Sequence, residues 1–181
     1  MQLPLGGVVL GCVPTLAAVG WALMRVSPDG DEVESFGVIR TRVAYGTSEQ
    51  NAAGDVNRRS RSIASLLRVI GAREVLTAIV RRAPDPKGDP HDGRVYGILD
   101  VLAVALDVPV LEVHGVEVRA AREATRAWLD AEEPGWTEEL ADDEIGVALY
   151  PRALDAIGVV RVAAGYSAAR SPVDLTPDAP A

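Results

Sequence analysis

The sequence predicts one α/β domain: a mixed sheet whose three antiparallel strands are extended by parallel strands, with helices on both faces. Three observations carry this prediction. Gly6 to Val13 is an unbroken apolar run of strand length, the pattern of a strand covered on both sides. Two further strand patterns follow it across short turns, which makes an antiparallel meander. Beyond the third strand, strand and helix patterns alternate, as expected when parallel strands are added to a sheet.

After the first strand, Pro14 turns the chain and Val19 to Val26 reads as the second strand. Ser27-Pro28-Asp29-Gly30-Asp31 is a turn signal, because Pro presets one turn dihedral and Gly accepts the unusual one. Glu34 to Val43 reads as the third strand. The polar stretch Thr47 to Asp55 predicts a loop, with Asp55 or Asn57 capping a helix from Val56 to Ile70. Ile63, Leu66, Leu67 and Ile70 repeat there at helical spacing, and Gly71 is a natural stop. Glu74 to Val80 predicts a fourth strand. Residues 81–93 are rich in Pro, Gly and Asp and predict a long loop. An apolar helix over Arg94 to Leu106, a strand over Pro109 to Val113, and an amphipathic helix over Val116 to Asp130 follow. Glu132 to Asp143 is acidic and predicts an exposed connection. Leu149 to Ala164 predicts a closing helix, with Pro151 tolerated near its first turn. Residues 1–165 form the predicted domain, and 166–181, without periodicity, a disordered tail.

A chain of 181 residues suits one domain, and 48% hydrophobic residues suffice for a core. Aromatic residues are only 4%, so Val, Leu, Ile and Ala must fill it. The net charge of −8 repels phosphate at long range. Nucleic-acid binding would therefore need a local basic patch. The densest candidate is Arg58, Arg59, Arg61 and Arg68 on one helix. A single cysteine, Cys12, excludes an intrachain disulfide and a cysteine-rich zinc site. It fits a reducing, cytoplasmic setting. Two histidines, His91 and His114, leave no His-dominated metal site. Val8 to Met24 carries no charge, yet it is shorter than the ~20 residues of a membrane span and is broken by Pro14. The first basic residue is Arg25, so the basic start of a secretory signal is missing. No membrane association is expected.

Asp85, Asp89, His91 and Asp92 lie close together on the long loop, but without the spacing of a calcium loop, and a solvated loop is the expected reading. Cys12 sits where burial is expected and reads as a structural thiol. No glycine-rich phosphate loop and no dinucleotide fingerprint occur.

Several short motifs share an order. The first strand ends Leu10-Gly11-Cys12-Val13-Pro14-Thr15, and Gly20-Trp21-Ala22-Leu23 follows. The third strand carries Val38-Ile39-Arg40-Thr41, and the fifth carries Val108-Pro109-Val110-Leu111-Glu112, with Arg119 beyond it. The closing helix has Arg152 and Asp155, then Ala156-Ile157-Gly158. In this order and register the chain resembles the RuvC-type Holliday-junction resolvases, which have a ribonuclease H-like fold. The resemblance spans most of Gly6 to Ala164.

That resemblance implies a two-metal nuclease using carboxylate-bound Mg²⁺ or Mn²⁺. It also implies where the four acids should stand. The first falls on Val13 and the second near Val80. The helix pair falls on Arg152 and Asp155, so only Asp155 is an acid. No shift of register restores the first, because Gly6 to Met24 contains no Asp or Glu. The resemblance therefore implies a degenerate member, a non-catalytic binding or scaffolding protein with DNA or a protein as partner and no cofactor. Arg119 matches the family's basic residue as a phosphate contact. The alternatives are an active, Mg- or Mn-dependent endonuclease rearranged around Asp155, Asp143 and Glu112, and a pure protein-interaction subunit. The family is dimeric, and the helix Arg94 to Leu106 is the candidate for self-association.

Overall fold

The computed structural model describes residues 3, 6–41, 49–72, 74–138 and 147–165. Its elements are β1 (Gly7–Val13), β2 (Ala18–Val26), β3 (Glu32–Arg40), α1 (Glu49–Gly71), β4 (Leu76–Arg82), α2 (Gly93–Leu106), β5 (Val110–Val113), α3 (Gly115–Glu132) and α4 (Tyr150–Ala163). The sheet order is β3-β2-β1-β4-β5. β1 and β3 each run antiparallel to β2, whereas β4 is parallel to β1 and β5 is parallel to β4. The mixed sheet expected from the sequence is therefore present.

The apolar run of β1 has a simple cause: all seven of its residues are buried. Alternation along the strand sends Val9 and Val13 into one core cluster, with Val118 and Leu129 of α3 and Ala153, Ile157 and Val160 of α4. Val8, Leu10 and Cys12 enter the other, with Ile63 and Leu67 of α1 and Val95 and Leu99 of α2. Helices thus cover both faces. Few aromatics are needed, because two sheet faces packed with β-branched residues and Leu exclude water themselves. The aromatic exception is a chain of tilted rings, Phe36 to Trp136 at 6.5 Å and Trp136 to Tyr150 at 6.2 Å, linking β3 to the first turn of α4.

Two glycines set the position of α4. A Cβ on Gly11 would stand 2.2 Å from the Ala156 carbonyl oxygen, and one on Gly20 would stand 2.1 Å from that of Arg152. Both obstacles are backbone, so the helix could not approach the sheet this closely over any larger residue. Thr15 closes the turn after β1, its hydroxyl donating to the Ala18 carbonyl and accepting from the Ala18 amide. Asp92 braces the same turn by accepting the Leu16 amide at 2.6 Å.

Some boundaries differ from the sequence expectation. α1 begins at Glu49 rather than near Val56, so Asp55 is an interior residue and not an N-cap. The polar stretch 49–55 lacks apolar periodicity, yet Glu, Gln and Ala are good helix formers. β4 lies two residues later than expected and includes Arg81 and Arg82. Trp136 is buried, so the segment after α3 is not wholly an exposed connection. Residues 42–48, 139–146 and the expected tail 166–181 lie outside the described residues.

Candidate functional site

Strand ends and helix starts meet at one end of this sheet. The carboxyl ends of β1, β4 and β5 reach it, and α3 and α4 begin there. That is where the four acid positions implied by the resemblance fall. Val13 and Val80 are both fully buried and belong to one apolar cluster with Ala153, Leu154 and Ile157 of α4. The space between the strands and α4 is filled by hydrocarbon, which offers no oxygen to a hard cation.

Asp155, the acid among those four positions, is 7% exposed. Both of its oxygens are taken. Arg122 of α3 donates from Nε to Oδ1 at 2.8 Å and from Nη2 to Oδ2 at 2.7 Å. The hydrogen bonds to Asp155 push the Arg122 guanidinium further up, so it stays charged. This fork-to-fork geometry is the strong form of an ion pair. Arg152, one turn earlier on α4, is partly exposed and has no ion-pair partner among the described residues.

A second arginine hub lies on the other side of the sheet. Arg81 is 9% exposed and faces α2. Its Nε donates to Glu112 at 3.0 Å, and its Nη1 donates to Asp100 at 2.7 Å and to the Tyr96 carbonyl at 3.1 Å. The guanidinium also stands 5.1 Å from the centre of the Tyr96 ring. Glu112 is therefore committed to Arg81, its cross-strand neighbour.

Fitted to a two-metal centre, these residues fail. Two positions are apolar and sealed, one is an arginine, and the acid is neutralised by a bidentate arginine. Among the described residues no group of three His, Cys, Asp or Glu could hold a metal ion. Asp143 lies outside the described residues. On the long loop, Asp85, Asp89 and Asp92 accept the amides of Lys87, His91 and Leu16, so these carboxylates hold backbone turns. Cys12 is completely buried, and burial pushes its thiol up to about 12 despite the nearby positive charge of Arg81.

The basic helix separates into two sets. Arg58, Arg61 and Arg68 are exposed on α1. Arg59 departs from that stripe: it is 8% exposed and donates from Nε to the Thr41 hydroxyl at 2.8 Å, near Asp55. Arg119 of α3 is exposed, and its Nη1 lies 3.7 Å from the Cβ direction of Gly115, with Arg82 Cδ at 3.4 Å from the same point. Arg82 and Arg119 thus converge beside the end of β5. On α2, Val101 and Val104 are 68% and 82% exposed. No helix among the described residues is long and apolar enough to cross a membrane.

The sequence reading missed Arg81 and the Arg122–Asp155 pair. For Arg81 no periodic signal existed, because a charged residue at a strand end reads as a loop residue. The spacing Arg119, Arg122, Arg126 placed an arginine on each turn of α3, but could not say which turn faces α4.

This fold is similar to those of solved Holliday-junction resolvases. RuvC of T. thermophilus, in complex with a Holliday-junction substrate, superposes with a TM-score of 0.60 at 18% identity, over 84% of this chain and 89% of that one. The yeast mitochondrial Holliday-junction resolvase Ydc2 gives 0.56 at 11% identity, over 90% and 83%. The fowlpox virus resolvase gives 0.51 at 7% identity, over 86% and 95%. No protein-family model and no curated protein matches the chain. The fold is the RuvC-type resolvase fold, a ribonuclease H-like mixed sheet flanked by helices.

Proposed function

On this resolvase fold, we propose a nucleic-acid-binding protein that holds branched DNA without cutting it. The observation that carries the reading is the Arg122–Asp155 pair beside the sealed valines Val13 and Val80. Where a two-metal nuclease concentrates negative charge for Mg²⁺, this chain presents hydrocarbon and guanidinium. A cluster of that kind has no means of activating water on a phosphate, and attraction for phosphate has to come from the exposed arginines around it.

The chain is acidic overall, so binding depends on local arginines: Arg119 at the sheet end and the exposed α1 stripe of Arg58, Arg61 and Arg68. Arg59 supports that stripe from inside rather than by touching DNA. Self-association of two copies through the exposed valines of α2 belongs to the same proposal. It places the protein in the cytoplasm, with no cofactor.

The test is fluorescence anisotropy with a labelled four-way junction and a duplex of equal length, across a salt series. The expected result is junction binding that weakens steeply with salt, with the junction preferred over the duplex. Arg58→Glu with Arg61→Glu is expected to weaken it about tenfold or more. A wild-type protein that binds neither DNA would instead favour a protein-interaction subunit.

A further inference from the structure

β5 is the last strand of the sheet, and no strand among the described residues pairs with its outer edge. The Pro109 carbonyl accepts the Ile79 amide, and the Val113 carbonyl accepts the Ala83 amide. Alternation along the strand therefore turns the backbone groups of Val110 and Glu112 away from β4. Their N–H and C=O groups form a row at the open edge, a template for one more strand.

A shallow groove of about 580 Å³ runs between this edge and the last turns of α2. Ala103, Val108 and Val110 give it an apolar lining, and Val104, 82% exposed, stands on its outer wall. Acids supply the rest. Asp100 and Asp107 line the groove, and Glu112, with its side chain 44% exposed, follows Val110 on the same face of β5. Arg81 is nearly buried between Asp100 and Glu112, so one guanidinium stands against three carboxylates. No lysine or arginine lines the groove among the described residues. Asp107 is also unusual in its backbone. Its φ of 53° and ψ of 45° are left-handed, and among the described residues no other residue but glycine has a positive φ. Glycine is the usual residue at such a helix end, so an aspartate here accepts strain and sets a carboxylate beside the groove.

The occupant follows from this chemistry. Unpaired main-chain groups call for an extended segment, the lining calls for aliphatic side chains, and the acids call for cations. Nucleic acid is repelled. A second copy paired edge to edge would set the same acids against one another. We propose that β5 and α2 dock an extended, basic segment of a partner protein, added to the five-stranded sheet beyond β5. Its aliphatic side chains pack against Val104, Val108 and Val110, and its lysines or arginines stand beside Asp100 and Asp107. The site shares no residue with the arginines offered to DNA, so it stands or falls apart from that reading.

The test titrates the full chain into a fluorescein-labelled octapeptide of alternating lysine and valine and follows its anisotropy. Saturable binding that weakens as salt rises is expected. Asp107→Asn keeps a residue type that accepts the left-handed cap and should weaken binding about threefold. Asp100→Asn with Asp107→Asn should weaken it about tenfold. Val110→Pro removes an outward N–H without touching a bond to β4, and should weaken it about tenfold or more. Asp29→Asn, exposed in the turn between β2 and β3, is the control and should stay within about twofold. Thermal melts check that each variant folds. A peptide with two adjacent N-methylated residues at its centre repeats the edge test on the wild-type protein. It keeps every charge and should bind about tenfold more weakly. Four outcomes overturn the site. A glutamate–valine peptide that binds equally well removes the charge argument. An N-methylated peptide that matches its parent means that no strand is added. A wild-type protein that binds no lysine–valine peptide leaves the groove without this occupant. If light scattering shows a wild-type dimer that Asp107→Asn or Val110→Pro turns into a monomer, the groove belongs to a second copy.

Discussion

Val13→Asp, which places an acid at the end of β1, is expected to destabilise the protein by about 3–5 kcal/mol and to produce no cleavage. Val13 has no exposed surface and shares its cluster with Val80, Ala153 and Ile157. The substitution removes a packed side chain and leaves a carboxyl with no donor in hydrocarbon. Val13→Thr, nearly isosteric, separates packing from charge and should cost only about 1–2 kcal/mol. The pH dependence has a definite sign. Burial raises the pKa of the introduced carboxyl above its unfolded value of about 3.9. Between those two values the folded state binds the extra proton, so stability falls as pH rises, until the folded-state pKa is passed. Urea denaturation should show the variant recovering toward wild type on acidification. A variant as stable as wild type at pH 7 would show that the valine is not sealed as described.

The second large effect concerns the ion pair. Arg122→Ala should cost about 2–3 kcal/mol, at the low end for breaking a buried pair because the Arg122 side chain is itself 38% exposed. The loss comes mainly from stranding Asp155, whose side chain is 9% exposed, with no donor to replace the guanidinium. Removing both partners should be cheaper than removing the arginine alone. The Arg122→Ala, Asp155→Ala double variant, measured by urea denaturation, should therefore be more stable than Arg122→Ala by about 1 kcal/mol or more. If Arg122→Ala costs less than about 0.5 kcal/mol, the pair is a surface contact and does not hold α3 to α4.

The sheet was legible because burial writes itself into strands plainly. The run Gly7–Val13 can be apolar at every position only in a strand covered on both faces. The β2–β3 meander followed from a short turn at Pro28-Asp29-Gly30. The absence of acids at the first strand turn was also visible in composition alone. The start of α1 was not legible, because a polar helical turn and a polar loop carry the same composition. Gly11 and Gly20 did carry a signal: isolated glycines inside strands mark a close backbone approach. Which element approaches them became clear only with α4 in place. The arginine partners were the least legible, since Arg81 meets Asp100 and Glu112 from three different elements. Pairing of that kind depends on tertiary register, which local spacing does not encode.

The fold is that of the RuvC-type resolvases, and the proposed reading is that it holds DNA without cutting it. The most direct test is a single reaction with strand-labelled four-way junction and excess protein in Mn²⁺, split between a native and a denaturing gel. The expected result is a fully shifted junction on the native gel and intact strands on the denaturing gel, unchanged by Asp155→Ala. Robust strand cleavage that disappears in Asp155→Ala would contradict the account, because it would require Asp155 to leave Arg122 and hold a metal ion.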